Sequence, residues 1–257
     1  MTQMLQTQEF GESGDQPALL VAHGLFGAGR NWRGLARNLA KDRRVVTVDM
    51  RNHGESFRHA SNTYSDMAQD LARVIEELGA PCDVLGHSMG GKAAMVLALR
   101  HSEQVNRLIV ADIAPVPYEH SQISNIEVMK SIPIEKLTRR SEADEMMAER
   151  IAEPGVRAFL LQSLILSPDG NRWALNLDAL EASMADIVGF PEVEGRFGRP
   201  ALFLRGGNST YVRDVHRPQI ESLFPNARVE SLAAAGHWLH ADDPRGFLAS
   251  VSRFLAE

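Results

Sequence analysis

The chain has one cysteine, no internal repeat, no low-complexity linker, no basic stripe and no apolar run long enough to cross a bilayer. A lone thiol cannot close an internal disulfide or build a cysteine-rich zinc site, so a reducing, cytoplasmic compartment is expected. Cys82 stands beside Asp83 in a short apolar stretch and reads as a packed thiol rather than a reactive one. No segment approaches the roughly 18 uncharged apolar residues of a membrane helix. The stretch Met1 to Pro17 has neither a basic start nor an apolar centre, so neither a membrane span nor a secretory leader is expected. With 27 basic against 33 acidic side chains and a formal charge of −6, a nucleic-acid surface is not expected either. The short cluster Lys41 to Arg44 reads as a solvated helix end.

What remains is an ordinary globular composition: 257 residues, 44% hydrophobic and 23% charged, enough for one large α/β domain. In the first half, short apolar runs alternate with helix-like stretches. Strands are expected at Ala18 to Ala22, Val45 to Val48, Val84 to Gly86 and Leu108 to Asp112, and helices at Trp32 to Ala40, Ser65 to Leu78 and Lys92 to Arg100. Unbroken Val, Leu and Ile runs belong to strands covered on both faces, which implies a parallel sheet built from right-handed crossovers. From about Pro117 to Gly195 the strand signal stops. There Ser141 with Asp144 resembles a capping box, and Val156, Phe159, Leu160, Ser163 and Leu164 trace one helix face. The expected organisation is a core of residues 1–116 and 196–257, interrupted by an all-helical cap at 117–195. The sheet resumes at Ala201 to Leu204 and Arg228 to Leu232, with helices near Val215 to Leu223 and from Pro244 to Leu255.

The strongest chemical signal is Gly86-His87-Ser88-Met89-Gly90, a G-x-S-x-G pattern. Chance alone produces such a pentapeptide in roughly one chain in ten of this composition, so placement decides. It lies between an apolar strand and an apolar helix, the setting of a nucleophile elbow. A strand reversing into a helix over so few residues strains the serine backbone, and its neighbours two positions away must lack bulk. Ser88 then projects at the carboxyl edge of the sheet, where free helix amides favour negative charge. A serine hydroxyl needs a base. Of nine histidines, His237 is preferred, because it follows the last strand on a loop at that same edge. His87 is expected to support the turn. A metal shared by His237 and His240 lacks completing ligands, and neither metal nor cofactor is expected. The oxyanion of an attacked carbonyl requires donors already in place. Met89 N–H supplies one, and Leu25 N–H, in His23-Gly24-Leu25-Phe26-Gly27, the second. Phe26, Trp238 and Met89 are expected to wall the substrate pocket, while Arg51 and His53 brace neighbouring loops. The pair Met146-Met147 is expected to pack within its helix.

Together these segments resemble the α/β-hydrolase superfamily, and within it the YbfF-type bacterial esterases and the α/β-hydrolase domain-containing protein 11 group. The resemblance runs from about Ala18 to Leu255. It is carried by HGLFG (His23 to Gly27), RNHG-x-S (Arg51 to Ser56), GHSMGGK (Gly86 to Lys92), DIAP (Asp112 to Pro115), GGNS (Gly206 to Ser209) and AGHW-x-HA (Ala235 to Ala241). It implies the α/β-hydrolase fold and a serine hydrolase acting on a small-molecule acyl ester or thioester. One departure matters. Most members carry the triad acid where this chain has Asn208, and a neutral amide cannot stabilise an imidazolium. Asp112, at the end of the strand after the elbow helix, is the favoured acid, a position used by a minority of the superfamily. Asp178 and Asp214 stay open, each with an alternative reading at a helix start.

Two other classes compete with this reading. A nucleotide-dependent oxidoreductase would need G-x-G-x-x-G, whereas Gly24, Gly27 and Gly29 are spaced G-x-x-G-x-G. A ligand-binding protein with little turnover, or a lyase or haloperoxidase using the same residues, remains an alternative to the hydrolase.

Overall fold

The computed structural model describes residues 3–79 and 81–257. The first half runs β1 (Thr7–Phe10), β2 (Leu19–Ala22), α1 (Arg33–Leu39), β3 (Val45–Val48), α2 (Tyr64–Leu78), β4 (Cys82–His87), α3 (Met89–Arg100) and β5 (Val105–Ala111). Then come α4 (Ile123–Ser131), α5 (Arg140–Ala148), α6 (Pro154–Leu161), the short strands β6 (Leu164–Ile165) and β7 (Arg172–Trp173), α7 (Leu177–Ala182) and α8 (Met184–Val188). The chain returns through β8 (Ala201–Gly206), α9 (Arg217–Leu223), β9 (Ala227–Leu232), α10 (Leu239–Asp242) and α11 (Pro244–Leu255).

Seven strands form one sheet in the order β1-β3-β2-β4-β5-β8-β9. Every neighbouring pair is parallel except β1 with β3. Strand side chains alternate between faces. Leu20 and Ala22 therefore enter the apolar layer shared with α2 and α3, and Leu19 and Val21 the opposite layer with α1 and α11. Helix α3 is buried from Met89 to Leu99, which is why its sequence is apolar all round.

The structure differs from the sequence reading in several places. β1 was not expected: Thr-Gln-Glu-Phe is a half-exposed edge strand with no apolar run to announce it. Residues 117–195 are not all helical. α6 stops at Leu161, and the chain turns so that Leu164 pairs with Trp173, with Trp173 Nε1–H held by Met129 O at 3.2 Å. The cap of α5 is built by Glu142 receiving the Thr138 and Arg139 amides, not by Ser141. Asn176, not Asp178, is the N-cap of α7. Met147 is buried, but Met146 is 41% exposed. Arg43 is not solvated. It reaches the buried end of β4, where Nη1 donates to Asp83 Oδ2 at 2.6 Å and Nη2 to Leu255 O at 3.3 Å, so three separate segments are tied together there. Cys82 is fully buried, and burial pushes its thiol up to about 11, which keeps it protonated.

The 117–195 segment docks on the carboxyl edge of the sheet. Asn176 N–H donates to Asn52 O at 2.9 Å, Gly54 N–H to Ala174 O at 2.7 Å, and Tyr64 Oη to Ile187 O at 2.6 Å.

Candidate active site

Four non-glycine residues among those described have left-handed backbones: Phe26 (φ 64°), Asn52 (φ 65°), Ser88 (φ 52°) and Asp112 (φ 51°). Each follows the carboxyl end of one of four strands, β2, β3, β4 and β5 in turn. Conformations of this kind cost about 1–3 kcal/mol each and persist only where the surroundings enforce them. At Ser88 the enforcement is steric. A Cβ on Gly86 would collide with the Gly90 carbonyl, and one on Gly90 with the carbonyls of Ala22 and His23. The two glycines let β4 turn into α3 hard against β2, and the serine is lifted off the sheet edge.

Ser88, His237 and Asp112 meet there although they are far apart in sequence. Ser88 Oγ lies 3.2 Å from His237 Nε2, and His237 Nδ1 lies 2.8 Å from Asp112 Oδ2. The Asp112 carboxylate is fully buried. It is satisfied by Gly206 N–H on Oδ1 at 2.9 Å and by the Ser209 hydroxyl on Oδ2. A buried carboxylate with three donors is fixed in orientation and can hold an imidazole in one tautomer. Asp178 and Asp214 are elsewhere: Asp178 is exposed and pairs with Lys130 at 2.6 Å, and Asp214 is exposed and pairs with Arg205 at 2.9 Å. Asn208 donates Nδ2–H to Ala234 O at 3.1 Å.

The second loop of the site is held by two buried histidines. His23 donates Nδ1–H to Gly24 O at 2.7 Å and accepts the Met50 amide on Nε2 at 3.0 Å. His53 donates Nδ1–H to Arg51 O at 2.8 Å and accepts the Phe26 amide on Nε2 at 3.2 Å. Both must be neutral to accept, and burial lowers them accordingly, His23 to about 4 and His53 to about 3. Gly27 N–H is taken by Gly24 O at 3.0 Å. Of the three amides from Leu25 to Gly27, only that of Leu25 is left without an acceptor among the described residues. Met89 N–H, at the first position of α3, likewise has none. His87 is turned away from Ser88, with Nε2–H on His237 O at 2.9 Å, and so supports the backbone of the facing loop. Arg51 grips Asp70 with Nε at 2.6 Å and Nη2 at 3.0 Å, a buried fork that anchors the loop after β3 to α2.

The serine opens on a cavity of about 520 Å³. Leu25, Phe26, Met89 and Trp238 line it from the sheet side, and Val156, Phe159, Leu160, Met184 and Ile187 from the 117–195 segment. Phe159 and Trp238 touch across the two parts, their ring centroids 5.3 Å apart. Three further residues have no role in the sequence reading, although Lys92 and Ser209 close its GHSMGGK and GGNS motifs. Lys92 is buried beside the cavity, with Nζ donating to Val188 O at 2.9 Å and also to Gly189 O, 4.7 Å from the centre of the Tyr118 ring. Burial brings its ammonium down to about 7. Ser209 and Tyr211 touch Asp112 and His237 respectively. Only position relative to other strands reveals these contacts.

No group of three or more His, Cys, Asp or Glu among the described residues is arranged to hold a metal ion. No helix is long and apolar enough to cross a membrane, among the described residues.

Residues 17–132 match the model of a family described as alpha/beta hydrolase fold. The chain is 42% identical over 250 residues to the sn-1-specific diacylglycerol lipase ABHD11 of Mus musculus, covering 93% of this chain and 81% of that protein. It is 38% identical over 245 residues to esterase YbfF of Escherichia coli, covering 94% and 93% respectively. A solved structure described as a marine microorganism esterase superposes with a TM-score of 0.94 at 35% identity, over 98% of this chain and 100% of that one.

Proposed function

The chain belongs to the α/β-hydrolase family, and from that premise we propose that it cleaves carboxylic acyl esters or acyl thioesters by way of an acyl-enzyme on Ser88. The observation that carries this reading is the unbroken contact Ser88 Oγ to His237 Nε2 (3.2 Å) and His237 Nδ1 to Asp112 Oδ2 (2.8 Å), at the wall of a largely apolar cavity.

In this mechanism the Ser88 proton passes to His237 Nε2 as Oγ attacks the acyl carbonyl carbon. Asp112 keeps the proton of the base on Nδ1 and stabilises the imidazolium that forms. The carbonyl oxygen becomes an oxyanion held by the free amides of Leu25 and Met89, each worth about 2.7–4 kcal/mol in comparable sites. Collapse expels the alcohol or thiol, which takes the proton from His237. Water, deprotonated by His237, then attacks the acyl carbonyl, and the carboxylic acid leaves as Ser88 recovers its proton. Apart from the substrate and the hydrolytic water, every group in this scheme belongs to the chain.

Phe26 and Trp238 act as walls for the bound acyl group. Residues 117–195 act as a cap over the core of 1–116 and 196–257, because their apolar side chains supply the far wall of the cavity. A pocket of that lining favours an uncharged acyl chain. The test is Ser88→Ala, which is expected to abolish hydrolysis of p-nitrophenyl esters and labelling by a fluorophosphonate. Retained labelling would remove Ser88 from the mechanism. A panel of acyl lengths on oxygen and sulfur leaving groups then distinguishes ester from thioester preference.

A further inference from the structure

We infer that a hollow beside the catalytic cavity seats a phosphate carried by the leaving group of the substrate, with Arg30, Arg33 and Arg140 as its specificity-determining residues. This deepens the hydrolase reading above and rests on it: the acyl chain fills the apolar cavity, and the leaving group runs outward to the arginines.

The hollow measures about 510 Å³ and lies between the core and the 117–195 segment. Arg30 and Arg33 line it from the core, and Arg140, Gln162 and the run from Leu164 to Leu166 from the segment. No acidic side chain lines it, although the whole chain carries 33 acidic against 27 basic residues. All three arginines are exposed. Arg30 Nη2 donates to Gln162 O, Arg33 Nη2 to Gln8 Oε1 at 3.4 Å, and Arg140 Nη2 to Leu164 O at 2.8 Å. Each spends a single N–H on a neutral oxygen, which leaves the rest of its fork for a ligand. Their neighbours differ: Arg139 pairs with Glu142 at 3.3 Å and Arg157 with Asp144 at 2.8 Å. Like charges gathered round one hollow repel each other, and Arg140, at the first position of α5, also opposes the positive end of that helix. An arriving anion relieves both costs.

The hollow adjoins the catalytic cavity at Asn31, which lines both. Asn31 Oδ1 accepts the Ala28 amide at 2.7 Å and Nδ2 donates to Gln162 Oε1 at 2.5 Å, so this side chain stands as a fixed post between the two spaces. Gly29 N–H on Asp49 Oδ1 at 2.7 Å anchors the same turn, which continues from the loop that carries the Leu25 amide. Burial lowers His23 and the charge of Arg30 adds to it, which places that charge near the oxyanion loop. A substrate laid along these surfaces has its acyl carbons against Phe159, Leu160 and Met184 and its carbonyl at Ser88. The carbons of its leaving group pass Asn31 along Leu164 to Leu166, and its phosphate ends among the arginines, whose planar forks match phosphate oxygens in pairs. The alcohol or thiol departs with its phosphate unchanged, so the arginines act on binding and not on the bond that breaks.

The experiment measures kcat/KM on two matched pairs of substrates: butyryl glycerol with and without a terminal phosphate, and butyryl pantetheine with and without one. The two spans differ in length, so the favoured pair reports how far the phosphate seat lies from Ser88. In at least one pair the phosphorylated member is expected to be about tenfold better, chiefly through KM. That advantage is expected to shrink as NaCl rises from about 50 to about 500 mM. The double variant Arg33→Gln/Arg140→Gln is expected to bring the ratio close to one, and Arg33→Lys/Arg140→Lys to keep part of it. A ratio near one for both pairs in the wild-type protein overturns the proposal, as does a ratio that survives the glutamine pair. A merely structural role for the arginines would lower both members of a pair equally, and that result overturns it too. Inorganic phosphate is expected to compete with the phosphorylated member alone; equal inhibition of both members would give the hollow to a free anion and take it from the leaving group. Should the glutamine pair not fold, Arg33→Gln alone, whose side chain donates only to Gln8, carries the same comparison. Ser88→Ala is run alongside. If that variant still hydrolyses the unphosphorylated ester, the hydrolase reading itself fails; if it is dead while the wild-type ratio stays at one, the phosphate seat alone fails.

Discussion

At Asp112 two demands meet in one residue: a left-handed backbone and a fully buried carboxylate. Aspartate tolerates the first better than most side chains, and three donors compensate the second. Its exchange for asparagine removes the charge while conserving shape. Asp112→Asn is therefore expected to lower kcat by up to about 10⁴, with little change in the thermal midpoint. Asp178→Asn and Asp214→Asn remove only solvent-exposed ion pairs with Lys130 and Arg205, which water and salt screen. Both are expected to keep kcat within about twofold. Steady-state kinetics on one ester distinguishes the three, and a damaging Asp178→Asn or Asp214→Asn beside a mild Asp112→Asn would reassign the acid. Ser88, His237 and Asp112 are candidates legible in the sequence because each sits in a short motif near a strand end, with Asp178 and Asp214 left open beside Asp112. No role could be read for Ser209, although it closes the GGNS motif, or for Tyr211, because what each side chain meets across the sheet is set by distant segments.

Among the elements, α3 does most to organise the site. Its N-terminus presents the Met89 amide, and one turn later Lys92 reaches out of an otherwise apolar helix to the carbonyls that end α8. Lys92 is thus a clasp between the elbow and the segment that covers the cavity. Burial lowers its ammonium from 10.5 to about 7. Between those two values the unfolded chain binds more protons than the folded one, so this residue makes stability rise with pH across that window. Lys92→Met keeps the bulk and removes both the charge and the donors. It is expected to flatten the stability curve between pH 7 and 10 relative to wild type. Amide exchange along residues 184–190 should also quicken, with exchange along β4 unchanged. Unaltered exchange at those positions would show that the clasp holds nothing.

Across the whole molecule, three buried histidines and the half-buried His240 stand behind the carboxyl edge of the sheet. Burial lowers His23 and His240 to about 4, His53 to about 3, and His87 well below its ordinary value. All four are lowered, so the unfolded state takes up protons first as pH falls below 6.5. Their contribution to stability is complete above that value and is lost progressively down to the folded-state values. Urea unfolding is expected to show a midpoint that falls steeply between pH 7 and pH 4. A midpoint that stays level over this range would contradict the neutral, accepting roles of His23 and His53. The same loops carry the Leu25 amide, so activity should fail no later than stability on the acid side.

Much of this could be read along the chain, because the information is local. Unbroken Val, Leu and Ile runs marked β2, β3, β4, β5 and β8, since a strand buried on both faces needs apolar residues at every position. Glycines flanking Ser88 marked the elbow, since only they fit where β4 meets α3 and β2. Tertiary structure alone decided the remainder. The edge strand β1, the burial of Arg43 against Asp83, the turn of Leu164 into a strand, the contact of Asp112 rather than Asp178 or Asp214 with His237, and the positions of Lys92, Ser209 and Tyr211 all depend on contacts between distant segments. A side chain's chemistry is written in its own position, but its environment is supplied by neighbours that only the folded chain brings together.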